Sequence, residues 1–251
     1  MKTRVIPTLL LKNGSLVKTI KFREFNYIGD PCNTVRIFNE LEVDELMFLD
    51  INATIEKKEP DYSLLKDIAS ECFMPLSYGG AITSIEQAHK IFNIGFEKIC
   101  INSAAINDIK IVSSISEQFG KQAVIGSIDY KKKFGKPEVL KNYNLQSTGK
   151  NVVDWARSLS NAGVGEILLT STEREGTWSG YDIEVIKKVT SEINIPVIAH
   201  GGCGSLEDIK VAVYEGGASA VAVGSMVVYQ KKDMGVLINF PERNQLNKYV
   251  K

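Results

Sequence analysis

Short runs of Val, Ile and Leu recur along this chain, each bounded by polar residues or glycine, and alternate with stretches whose apolar positions fall at helical spacing. Eight such runs predict strands: Arg4–Leu9, Glu45–Asp50, Pro75–Tyr78, Lys98–Asn102, Ala123–Asp129, Glu166–Thr170, Pro196–Ala199 and Ala220–Gly224. They are continuously apolar rather than alternating, as suits a parallel sheet covered on both faces. Between them the spacing predicts helices over Pro31–Leu41, Tyr62–Cys72, Ser84–Phe92, Ile109–Phe119, Val152–Ala162, Asp182–Ile193 and Ser205–Tyr214. Strict alternation with eight strands favours a (β/α)8 TIM barrel over a doubly wound sheet. No Pro/Gly/Ser linker divides the chain, so residues 1–251 read as one domain. The one long polar insertion, Lys131–Lys150, has room for a hairpin and is expected to overhang the top face.

One element occurs twice. Leu76-Ser-Tyr-Gly-Gly-Ala-Ile-Thr-Ser, followed by Gly95-Phe-Glu-Lys-Ile-Cys-Ile-Asn-Ser103, is echoed by Ile198-Ala-His-Gly-Gly-Cys-Gly-Ser and Gly217-Ala-Ser-Ala-Val-Ala-Val-Gly-Ser225. Glu45–Asp50 also aligns with Glu166–Ser171, and Arg4–Lys12 less clearly with Ala123–Lys131. The chain therefore reads as two half-barrels, about 1–121 and 122–251.

In such a barrel the loops after the strands form the active face. Gly-Gly there lets backbone N–H groups approach an anion at the start of the next helix. Gly79, Gly80, Asn102 and Ser103 are candidates for one phosphate site, and Gly201, Gly202, Gly224, Ser225 and Gly176 for a second. A lone Gly pair is more often a tight turn; the duplication favours a phosphorylated or sugar ligand gripped at both ends. Asp129 and Asp50 end strands and can exchange protons or hold a hydroxyl, although a single Asp there is often only a cap. Two at adjacent strand ends favour chemistry, and Thr170 ends another strand. Lys18 is within reach of an anion, with a solvated lysine nearly as natural a reading. His200 is placed to line the mouth, whereas His89 falls on a helix surface.

At the opposite end, Arg4, Glu45, Lys98 and Glu166 each stand immediately before an apolar run. Pointing inward, they would form a ring of two cations and two anions: a salt-bridged plug, or a gate for a small neutral molecule.

Composition narrows the setting. Hydrophobic residues make up 44%, and 30 Lys plus Arg balance 30 Asp plus Glu, so neither nucleic acid nor an anionic membrane is an expected partner. Four scattered cysteines, without a Cys-x-x-Cys pair, read as small core residues in a reducing cytosol. No apolar run approaches the ~18 residues of a membrane span. No metal-ligand spacing, P-loop or dinucleotide fingerprint occurs, so neither metal nor cofactor is expected, and the expected location is cytoplasmic.

The sequence as a whole resembles the HisF family, the cyclase subunit of imidazole glycerol phosphate synthase. The residues that carry this are Gly29-Asp-Pro31, Asp44-Glu-Leu-Met-Phe-Leu-Asp-Ile51, Ile101-Asn-Ser-Ala-Ala105, Ala162-Gly-Val-Gly-Glu-Ile-Leu-Leu-Thr-Ser171 and Gly176-Thr-Trp-Ser-Gly-Tyr-Asp182. The resemblance implies a HisH-like glutaminase on the N-terminal barrel face and ammonia passing up the barrel to a bis-phosphate substrate. Arg4, Glu45, Lys98 and Glu166 match the family's gate position by position, which favours the gate over the plug. Asp129 matches one of two catalytic aspartates; the other is replaced by Leu10 in Thr8-Leu-Leu-Leu-Lys12. Further departures are Ala81 for the third glycine of the first loop, Thr83 for an arginine, His200 for a small residue and Trp178 for a lysine. Leucine exchanges no proton, so the resemblance to relatives associated with surface polysaccharides implies ammonia supplied for sugar amidation, with a separate sugar amidotransferase as a further partner. The alternatives are a genuine histidine-pathway cyclase (a lyase) and a phosphosugar isomerase on the same barrel.

Overall fold

The computed structural model describes residues 3–143 and 146–250. Among them, strands run in chain order as β1 (Arg4–Lys12), β2 (Ser15–Ile20), β3 (Arg23–Gly29), β4 (Leu46–Asp50), β5 (Leu76–Gly79), β6 (Lys98–Ile101), β7 (Val124–Lys133), β8 (Lys136–Lys141), β9 (Gln146–Asn151), β10 (Glu166–Ser171), β11 (Val197–His200) and β12 (Ala220–Val223). Strands β1, β4, β5, β6, β7, β10, β11 and β12 pair in parallel in that order, and the pairing of β12 with β1 closes the circle. This is a (β/α)8 barrel with helices between the strands, as the alternation predicts.

The helices follow the expected pattern, and Val152–Ala162 has the expected bounds. The stretch Asp182–Ile193 shortens to Ile183–Thr190, because the Thr190 hydroxyl bonds back to the Lys187 carbonyl and Ser191 caps the end. His89 is exposed on the helix Ile85–Ile94, as expected.

Two strands outrun the sequence expectation. β1 continues past the rim to Lys12, turns through Asn13 and Gly14 (φ 51° and 76°) and pairs antiparallel with β2. β7 continues to Lys133, turns through Phe134 and Gly135 (φ 50° and 77°) and pairs with β8, which pairs with β9. Positive φ at both central residues is the turn geometry that matches strand twist. The segment Lys131–Lys150 thus holds the expected hairpin, although its first residues belong to a barrel strand. Asn144 and Leu145, within that segment, lie outside the described residues.

The same features recur in each half of the chain. Each first strand overruns into a hairpin, and short helices Ser103–Asn107 and Ser225–Val228 follow β6 and β12. Ser84 and Ser205 cap the helices after the Gly-Gly loops by accepting from the N–H groups of Gln87 and Asp208.

Alternation along the strands sorts side chains between two cores. Ile6, Met47, Cys100, Ile125, Leu168, Ile198, Ala220 and Ala222 form an apolar cluster inside the barrel. Their strand neighbours, such as Val5, Phe48, Ile99, Ile167, Val197 and Val221, pack in the larger cluster between sheet and helices.

The loop after β10 is pressed onto β2. A Cβ at Gly176 (φ 72°) would lie 2.2 Å from the Thr19 carbonyl oxygen, whereas one at Gly149 (φ 73°) would meet nothing within 4 Å. Gly176→Ala should cost about 2–4 kcal/mol, combining left-handed strain with overpacking, and Gly149→Ala only about 1 kcal/mol. Urea unfolding of the two variants checks this; equal losses would mean that the loop does not depend on that approach.

Candidate active site

The loops at the C-terminal ends of the strands enclose a mouth cavity of about 160 Å³. Its floor is Leu10, Leu49 and Cys100; Asp50, Gly79, Gly80, Asn102 and Ser103 line it from the ends of β4, β5 and β6, and Asp129, Thr170, Glu175 and His200 from β7, β10, the loop after β10 and β11. Phe22, in the turn between β2 and β3, and Tyr143, just after β8, also line it, with rings stacked at 4.5 Å and 1°. Lys21, Phe22 and Tyr143 hold φ values of 54°, 57° and 54°, so the roof rests on left-handed backbone at non-glycine residues.

Asp129 is half-buried in the mouth, at the end of the barrel portion of β7. Burial pushes its carboxyl up to about 7, against hydrogen bonds from Thr170 and Asn102 that favour the ionised form. Asn102 Nδ2 donates at 2.7 Å, while its Oδ1 is buried without a partner and faces no donor among the described residues. An orphaned acceptor beside Asp129 suits a ligand that brings a hydroxyl or amine.

Asp50 proves to be partly a structural carboxylate: its Oδ1 accepts from the N–H groups of Asn52 and Ala53, each at 3.0 Å. The expectation of adjacent strand ends fails, because β5 and β6 stand between β4 and β7. Asp50 and Asp129 share the cavity across its width instead.

Lys18 is buried, not solvated. Its ammonium donates to the Thr8 carbonyl at 2.6 Å, and burial lowers it to about 8 despite the nearby Glu175 charge. A Cβ at Gly224 would lie 2.6 Å from Lys18 Nζ, so the glycine makes room for the lysine head.

Glu175 is a site residue that sequence reasoning missed. Its Oε2 accepts from Thr19 Oγ1 at 2.9 Å and from the Phe22 N–H at 3.2 Å, which ties the β10 loop to the first hairpin. The signal in the sequence is an acid placed directly before Gly176 in a strand-end loop. The hairpin was likewise announced by Asn13-Gly14.

The candidate phosphate groups divide. Gly79, Gly80, Asn102 and Ser103 meet in the mouth cavity. Gly176 and Ser225 line a second, outer cavity of about 560 Å³ with Trp178, Tyr27 and Tyr229. Gly201 and Gly202 line neither cavity; Cβ atoms there would lie 2.6 Å from the Ser171 oxygen and 2.1 Å from the Gly180 oxygen. Close packing of backbone on backbone therefore explains that glycine pair without a ligand.

Leu10 is buried against Leu49, Val17, Ile51 and Tyr143, an apolar patch in the floor of the mouth. Ala81 keeps a left-handed φ of 51°, the backbone geometry of a glycine, and its N–H bonds to Thr54 Oγ1. Among the described residues, no group of three or more His, Cys, Asp or Glu is arranged to hold a metal ion. Nor is any helix long and apolar enough to cross a membrane.

At the barrel floor the four charged residues do converge. Arg4 donates to Glu45 at 2.7 Å and to Glu166 at 3.0 Å, and Lys98 reaches the same two carboxylates at 3.3 and 3.2 Å. Ser77 Oγ adds a bond to Glu45 at 3.1 Å. Glu166 Oε2 is buried with no partner.

A family model described as histidine biosynthesis protein matches residues 4–233. The chain is 46% identical over 248 residues to a Pseudomonas aeruginosa protein named "Putative imidazole glycerol phosphate synthase subunit hisF2", covering 98% of this chain and 99% of the relative. A Leptospira interrogans protein named "Putative imidazole glycerol phosphate synthase subunit HisF" is 46% identical, with 97% and 96% covered. The imidazole glycerol phosphate synthase subunit HisF of Hyphomonas neptunium is 42% identical, with 90% of each chain covered. The chain belongs to the histidine biosynthesis protein family, and within it to the HisF proteins.

The folded chain holds the Asp129 proton more tightly than an unfolded chain does, with a carboxyl at about 7 against an ordinary 3.8. Its ionisation therefore removes stability as pH rises through that window. Asp129→Asn should be more stable than the native protein by about 2–4 kcal/mol near about pH 8, with the difference closing below about pH 4. Denaturation midpoints across pH check this; a difference independent of pH would contradict the raised carboxyl.

Proposed function

We propose that this HisF protein is the synthase subunit of a glutamine amidotransferase. A HisH-like glutaminase docks on the N-terminal face, ammonia passes the floor ring and crosses the barrel, and it reacts at the mouth with a phosphorylated small molecule. The observation that carries the reading is the layering of the interior: a charged ring, an apolar shell, then a polar mouth. Neutral ammonia can cross the shell of Ile6, Met47, Cys100, Ile125, Leu168 and Ile198, whereas burying ammonium there is costly. Ala220 and Ala222 keep one wall of that shell small. The unpaired Glu166 Oε2 offers an acceptor to an entering N–H donor.

The names of the relatives favour imidazole glycerol phosphate as product, and the family resemblance adds a bis-phosphate acceptor. On this reading Gly79, Gly80, Asn102 and Ser103 take one phosphate. Gly176, Gly224 and Ser225, with Lys18 beside them, take the other. Asp129, near its midpoint at neutral pH, both accepts and returns a proton.

Leu10 favours a second reading. The mouth lacks its second carboxylate where Leu49, Val17 and Ile51 already form an apolar floor, which suits delivery of ammonia to a different acceptor, such as a sugar amidated with the help of a separate amidotransferase. Turnover of the bis-phosphate with ammonium salt decides between the two. Turnover within about tenfold of a functional synthase's ~10 s⁻¹ supports the first reading, and turnover lower by about 1,000-fold supports the second.

Glu166→Gln and Lys98→Met should lower glutamine-dependent turnover by about tenfold or more while leaving ammonia-dependent turnover within about twofold. Equal effects on both would make the ring a structural plug.

A further inference from the structure

Strands β7, β10 and β11 are successive neighbours, and their registers set Asp129 beside Thr170 and Thr170 beside His200. All three residues line the mouth cavity. Thr170 Oγ1 lies 3.1 Å from His200 Nδ1, and the β10–β7 register sets the same hydroxyl beside Asp129, where donating to the carboxyl favours its ionised form. A hydroxyl has one hydrogen to give. While it donates to Asp129 it can only accept from the imidazole, so Nδ1 carries the ring hydrogen and Nε2 is the nitrogen left for the cavity.

We propose that His200, Thr170 and Asp129 form a proton relay in which His200 Nε2 takes a proton from the reacting nitrogen and Asp129 stores it. The proposal rests on the reading that ammonia reacts at this mouth. The nitrogen lone pair forms a C–N bond to an electrophilic carbonyl carbon of the acceptor, and the π pair moves to oxygen. Nε2 takes one proton from the cationic nitrogen, Nδ1 passes its hydrogen to Thr170, and the Thr170 hydrogen passes to the Asp129 carboxylate. The adduct, now a neutral amine on a carbon that bears an alkoxide, then faces a neutral imidazole with its hydrogen on Nε2 and a neutral carboxyl. Running the relay backwards returns the proton to the adduct oxygen and restores the starting state.

Neither end would suffice alone. Burial, with the Lys18 charge behind it, lowers His200 to about 3, which keeps the ring neutral but makes it a feeble base. Coupled to Asp129 at about 7, it draws on a far stronger acceptor, and the proton moves without a charge being left on the ring. The charged groups around the relay are Lys18 and Glu175, with Asp50 across the cavity. The relay gives the mouth a second proton-handling group, which Leu10 cannot be.

The chain has two histidines, so ¹⁵N imidazole spectra of the full-length protein are readily assigned, with exposed His89 as internal reference. His200 should carry its hydrogen on Nδ1 at about pH 8.5 and shift it to Nε2 by about pH 5.5, remaining neutral throughout, as Asp129 takes up a proton. Thr170→Ser should keep this switch and Thr170→Val should abolish it. A tautomer that is constant over that range, a doubly protonated ring, or a switch that survives Thr170→Val would overturn the relay. Turnover is read separately: His200→Gln should lower ammonia-dependent turnover at least about 100-fold, and a loss under about twofold would overturn the catalytic role. If the native protein turns over no phosphorylated acceptor, the functional reading fails, while the tautomer switch still decides the relay.

Discussion

A closed barrel leaves its interior no water, so every inward-pointing polar group must find its partner from another strand. That constraint organises this molecule. At the floor, Arg4 and Lys98 are shared between Glu45 and Glu166, each pair drawn from different strands. Above them the inward positions are mostly Ile, Met, Leu and Ala with Cys100, and buried Thr8, between Ile6 and Leu10, donates to the Ile6 carbonyl. At the top, Asp129 finds Asn102 and Thr170, Thr170 finds His200, and Lys18 finds the Thr8 carbonyl. Among the buried polar atoms of the described residues that have no partner, Glu166 Oε2 and Asn102 Oδ1 lie at the two ends of this interior, where a travelling donor would enter and react.

The mouth depends on pieces that are not part of the barrel cycle. Both hairpins grow from barrel strands, and the turns that follow their second strands meet through Phe22, between β2 and β3, and Tyr143, after β8. Glu175 joins the first hairpin to the β10 loop, and Gly176 lets the two backbones touch. Several glycines that look like anion cradles are thus explained by close packing, and the same backbone approach positions Lys18. The loss of the first-strand carboxylate fits this setting: Leu10 completes an apolar floor, while the proton-handling groups gather on the β7, β10 and β11 side.

The eight barrel strands were legible as continuous apolar runs, and the floor ring because Arg4, Glu45, Lys98 and Glu166 each stand immediately before such a run, two steps ahead of the inward Ile6, Met47, Cys100 and Leu168. The Gly-Gly loops were legible as loops, but their partners were not. Whether Gly202 faces a phosphate or the Gly180 carbonyl depends on a loop that is distant in sequence. The hairpins were half legible: Asn13-Gly14 is a strong turn signal, whereas Phe134-Gly135 is a weak one. The neighbourhood of Asp50 and Asp129 could not be read from chain order, since two strands separate them. Glu175 and the link from His200 to Thr170 needed the register of strands far apart in sequence.

The central claim is that ammonia reaches the mouth through the barrel rather than through solvent. The direct test pairs this chain with its glutaminase, supplies glutamine labelled with ¹⁵N in the amide, and adds excess unlabelled ammonium to the medium. Passage through the ring and apolar shell predicts that product nitrogen keeps the glutamine label almost undiluted. Product nitrogen that matches the medium would contradict the account.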